Sequence, residues 1–180
     1  METVRNGVNV NELMMAIEGV KNDPANGKLT FTVKSKWKDR FKAEHKSSNY
    51  VIGKRSGTHE HIVSTDEPKE ILGEDSGISP AETLLSSLGA CLTIGYAANA
   101  AAMGIDIDEM SFEITANGSL EGFMDIGDSR PGLNDISVKT HIKSNAPDAK
   151  LQKLHDYVNQ HSPIWDTIKN TVKMTSELTI

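Results

Sequence analysis

The sequence predicts an α+β fold, with mainly antiparallel sheets arranged around one long central helix. Three observations predict it. Residues 79–104, SPAETLLSSLGACLTIGYAANAAAMG, carry no charge after Glu82, and the next is Asp106. Strand-like alternation appears in runs on both sides of this stretch. Those runs are joined by hairpin-length links and separated by single helices, and there is no internal repeat or low-complexity tract.

The central stretch opens with agreeing start signals. Ser79 is placed to cap, Pro80 suits the first helical position, and Glu82 reaches back to close a capping box. Gly104 ends it, as a residue that readily takes the left-handed cap conformation. Leu84, Leu85, Leu88, Cys91, Leu92, Tyr96, Asn99 and Met103 recur at steps of three and four. Ala, Gly, Ser and Thr fill the remainder. A helix without a polar face belongs inside something. Its length would span a bilayer, but Ser86, Ser87, Thr93 and Asn99 make insertion marginal, and no aromatic belt flanks it. The expectation is a helix wrapped by sheet or by a partner subunit, with no membrane partner.

In chain order, residues 8–22 read as an amphipathic helix with Leu13, Ala16, Ile17 and Val20 as its stripe and Asn9 or Asn11 as cap. Asp23-Pro24-Ala25-Asn26-Gly27 stops it. Residues 28–37 alternate as a strand, Lys38-Asp39 reads as a turn, and a return strand begins at Arg40 with Phe41 and Ala43 inward. Residues 51–57 are a weak strand or loop, 58–64 a third strand, and 65–78 a turn-rich approach to the central helix. Beyond it, 105–117 alternate with a slip that suggests a bulge near Asp108-Glu109. A Gly-rich connection follows over 118–135, and 136–144 form the next strand. Residues 147–160 read as a helix, Ser162-Pro163 opens a short helical turn, and 171–180 read as a last strand with Val172, Met174, Leu178 and Ile180.

A length of 180 residues suits one domain, read as a helical extension over 1–27 and a main domain over 28–180. A net charge of −6 argues against a nucleic-acid partner. One cysteine excludes an internal disulfide and fits a reducing compartment. No basic segment followed by an apolar run opens the chain, so the expected location is cytoplasmic.

Few residues point to chemistry. Cys91 reads equally as a small buried hydrophobe or a reactive thiol. Glu82 reads as a cap first and as a catalytic carboxylate second. His59 and His61 share a strand face, but no third ligand stands near, so no metal site is expected. His45, His141 and His155 fall at surface-like positions, and His161 belongs to a turn. Arg40 reads by default as a solvated hairpin cation and Arg55 as a loop cation. No Gly-rich phosphate loop and no nucleophile elbow is present.

The stretch DEPKEILGEDSGISPAETLLSSLGACL, the following ANAAAMGI and the late Ser-Pro-Ile-Trp segment resemble the OsmC/Ohr family of osmotically inducible and organic-hydroperoxide-resistance proteins. The resemblance covers roughly residues 28–180. It implies an intertwined α+β homodimer with two central helices at its heart. It also implies a thiol peroxidase in oxidative stress defence, in which Cys91 attacks an alkyl or fatty hydroperoxide and an external thiol serves as reductant. No cofactor is implied. Arg40 is the implied cation that ionises the thiol, with Lys38 as the alternative, and Glu82 stands one place from the family's helix-start carboxylate. The family's second cysteine is replaced by Ser162, so this chain resembles a branch without an intramolecular disulfide. Two readings of function stay open: a one-Cys hydroperoxide reductase, and a non-catalytic dimer that binds a small apolar ligand at its subunit interface.

Overall fold

A computed structural model describes residues 3–180. The chain forms two compact units, one of Asn9–Ser86 and one of Val4–Val8 with Ser87–Ile180. All named strand pairs of the larger sheets are antiparallel, as the α+β reading requires.

The first unit is built on one long strand. β3 (Leu29–Asp39) and β4 (Lys42–Ile52) pair along their length, and β5 (Arg55–Thr58) and β6 (Ile62–Thr65) line up in tandem along the other edge of β4. The turn between β3 and β4 falls at Arg40-Phe41, not at Lys38-Asp39, because Asp39 already pairs with Lys42. Arg40 takes a left-handed φ of 47°, and the Trp37 ring N–H donates to its carbonyl at 2.9 Å. A two-residue hairpin turn demands positive φ, usually from Asn or Gly. Neither occurs here, which is why the turn was not legible. Helix α1 (Val10–Asn22) starts on the Asn9 side chain, which accepts from the Asn11 and Glu12 N–H groups. His45 is half-buried between the Ser35 and Thr65 hydroxyls, 2.9 Å from each, and not at the surface.

Helix α2 (Pro80–Ala102) begins in the first unit and continues into the second. In the second unit it meets β7 (Glu109–Asn117), β8 (Asp135–Lys143) and α4 (Asp148–His161), and the short α3 (Leu120–Phe123) falls in the link between β7 and β8. Leu88, Leu92, Tyr96, Ala100, Ile105, Leu154 and Val158 form the buried core. The inward pairs Met110–Ile142, Phe112–Thr140 and Ile114–Val138 lie under it. On the opposite face Glu109–Lys143 and Glu113–Lys139 pair across the strands at 2.7 and 3.4 Å. Each fully buried Leu contributes about 1.5–3 kcal/mol. Close approach of α2 and α4 depends on Gly95, where an added Cβ would stand 3.0 Å from Val158.

Four further sequence expectations change. The slip near Asp108-Glu109 is the helix-to-strand join: β7 starts at Glu109, and Ile105 belongs to the helix cap, donating its N–H to the Ala100 carbonyl at 2.8 Å. Residues 171–180 form no strand, since no strand edge among the described residues takes them up, and Met174 and Leu178 stand open to solvent. His155 is half-buried, not surface-like: its Nδ1 lies 2.5 Å from the buried Tyr96 hydroxyl and its Nε2 3.0 Å from Asn159. Burial raises the Tyr96 phenol above its ordinary value, so it stays protonated. Finally, a hairpin precedes α1. β1 (Val4–Arg5) and β2 (Val8–Asn9) join through Asn6-Gly7, both with positive φ. Asn6 bonds the Ile105 carbonyl and the Ile107 N–H, each at 2.9 Å, and Arg5 pairs with Asp106 at 2.8 Å.

Candidate functional site

Cys91 lies on α2 between the buried Leu88 and Leu92, and is itself half-buried. Its Sγ stands 3.2 Å from the hydroxyl of Ser162. Ser162 is 4% exposed and breaks the chain between α4 and α5 (Pro163–Lys169) with extended backbone angles. It repeats the Ser-Pro start seen at Ser79-Pro80, and its Oγ accepts from the Trp165 N–H at 3.4 Å. Acceptance there leaves the hydroxyl proton free to point at sulfur.

Glu82 and Arg40 belong to the first unit, Cys91 to the second. Glu82 closes the capping box: its carboxylate accepts from the Ser79 N–H at 2.7 Å, and Ser79 Oγ accepts from the Glu82 N–H at 3.2 Å. The Ser79 backbone N–H, and after it the Ser79 side chain, lower the Glu82 pKa below the usual carboxylate value. Arg40 reaches Glu74 at 3.0 Å, and Lys42 holds the other Glu74 oxygen. The Lys42 hydrogen bond, then the Lys42 and Arg40 charges, lower the Glu74 carboxyl. Lys38 pairs with Glu44 at 3.2 Å.

Sequence reasoning missed Asp66 and Glu74. Asp66 is 1% exposed and organises the approach to α2. It accepts from the Glu67, Glu74 and Ser76 N–H groups and from the Ser76 hydroxyl, at 2.7–3.1 Å. Burial pushes its carboxyl up, but these donors together hold it at about 2. Asp66-Glu67-Pro68 and Asp75-Ser76-Gly77 both read as turns, yet nothing in spacing says which Asp becomes the hub. His59 and His61 lie in the link between β5 and β6, with ring centroids 5.0 Å apart. Among the described residues no group of three metal-ligating side chains gathers.

The fold and this thiol–hydroxyl pair define an α+β protein with its one cysteine on a central helix. The chain belongs to the OsmC-like protein family, whose model matches residues 73–177. Its fold is shared with an OsmC-like protein from Mycoplasma pneumoniae: TM-score 0.59 at 18% identity, over 79% of this chain and 89% of that one. A putative osmotic stress induced and detoxification response protein from Psychrobacter arcticus is similar, with TM-score 0.57 and 16% identity over 77% of this chain and 88% of the other. So is an organic hydroperoxide resistance protein OsmC from Legionella pneumophila, with TM-score 0.55 and 13% identity over 78% and 89%. No curated protein matches the chain significantly.

Proposed function

We propose that this OsmC-like protein is a one-Cys, thiol-dependent reductase of organic hydroperoxides, acting in the cytoplasm as a homodimer. The observation that carries the reading is the Cys91 sulfur, half-buried and 3.2 Å from a hydroxyl able to donate to it. The Cys91 thiolate attacks the terminal oxygen of the hydroperoxide. The O–O bond breaks, sulfur gains the oxygen as a sulfenic acid, and the departing alkoxide takes a proton from water to become the alcohol. An external dithiol then attacks the sulfenic sulfur and expels water; its second thiol resolves the mixed disulfide, leaving the Cys91 thiol and an oxidised reductant. Ser162 stands where a second sulfur would be needed for an internal disulfide, so the reductant meets the sulfenic acid directly.

The family resemblance assigns Arg40 the role of keeping the sulfur ionised. The pH dependence of Cys91 alkylation in Arg40→Ala reads that assignment: a rise in the apparent thiol pKa supports it, an unchanged curve removes it. The reaction itself is tested by adding cumene hydroperoxide and trapping with dimedone. One dimedone per chain is expected, and none in Cys91→Ser. An unlabelled native protein ends the enzymatic reading.

The dimer is supported by exposed apolar surface. On β3, Leu29, Phe31 and Val33 are each about 60% exposed, and on α2 Ile94 is 70% exposed. Apolar exposure of this kind, on either unit, marks an interaction surface.

A further inference from the structure

The second unit holds a groove of about 300 Å³ beside the α2–α5 contact. Its floor is apolar: Leu88 from α2, Trp165 and Ile168 from α5, Leu133 and Ile136 from the edge of β8. Its rim is charged, with Arg130 and Lys169 against the single carboxylate of Asp135. That carboxylate is already engaged, accepting from Asn117 at 2.8 Å. Among the described residues neither Arg130 nor Lys169 has a side-chain ion pair. An apolar trough whose rim sets two cations against one carboxylate, with neither cation held in an ion pair, is complementary to an apolar chain that ends in an anion.

We propose that this groove binds a medium-chain carboxylate, its hydrocarbon on the Trp165–Ile168 floor and its head at Arg130 and Lys169. At roughly 30 Å³ per heavy atom, the liquid-state share of a water, the volume suits a chain of about ten heavy atoms. The lower end of ordinary ligand pockets is of the same size, about 300 Å³. Cys91 does not line this groove, so the site stands whether or not that thiol turns over.

The test uses the full chain carrying Trp37→Phe, which leaves Trp165 as the only tryptophan. Its emission is followed on titration with decanoate, decanol and butyrate, each below its aggregation limit. Saturable change with decanoate is expected, about a hundredfold weaker with decanol, which loses both charge-assisted contacts at about tenfold each, and absent with butyrate. Arg130→Ala and Lys169→Ala should each weaken decanoate about tenfold and leave decanol unchanged. Cys91→Ser should bind decanoate as the native thiol does, which separates this result from any failure of peroxide turnover. Equal binding of decanol and decanoate, indifference to both cation variants, or no saturable signal overturns the proposal.

Discussion

At the scale of single residues, two side chains determine what can be tested. Ser162 sits against Cys91 and also caps α5. Ser162→Cys places a second thiol in that position. One equivalent of cumene hydroperoxide should then yield an internal disulfide, read as loss of two hydrogens by mass and loss of dimedone labelling. Persistent labelling would show that the two sulfurs do not meet. Asp66 gives a pH signature. Its folded value, about 2, lies below the ordinary 3.8. A depressed carboxyl contributes stability that is present above the unfolded value and lost as pH falls through the folded one. Asp66→Asn should therefore lower the melting temperature by several degrees at pH 7. The gap to the native protein should narrow between pH 4 and pH 2, which melting curves across that range would check.

Among the elements, α2 has two ends and a middle with different jobs. Its start is held by the reciprocal Ser79–Glu82 bonds, so Ser79→Ala should cost about 1 kcal/mol in urea unfolding. Its middle fills the core, and Leu92, fully buried, should cost about 2–5 kcal/mol on truncation to Ala. A smaller loss for Leu92→Ala would mean that α4 and the β7–β8 face collapse onto the gap. The N-terminal hairpin is the other element with a clear role. Asn6 and Arg5 tie it to 105–107, so residues 4–8 belong to the second unit while α1 belongs to the first.

For the molecule as a whole, the proposed dimer rests on the exposed apolar faces. Light scattering should report twice the 19.6 kDa of one chain. Ile94→Glu sets a charge on an exposed part of α2 and should shift the protein toward the monomer, while the secondary-structure signal stays unchanged. A native monomer in dilute buffer would remove the dimer from the functional proposal.

Much of this protein was legible in its residues because the signals were local. The Ser-Pro-x-Glu start and Gly104 end of α2, the alternation of 136–142, and the Ser162-Pro163 restart all act within a few residues of themselves. The motif around Cys91 likewise carried the family. Only the folded chain decided the matters that depend on distant partners. The turn at Arg40 follows from strand register rather than turn chemistry. The 171–180 segment alternates like a strand but finds no edge to pair with among the described residues, and a strand needs one. Asp66 becomes a hub, and Ser162 a neighbour of Cys91, because packing brings together groups up to 71 residues apart. Periodicity reports which face a residue occupies; it does not report which residue waits opposite.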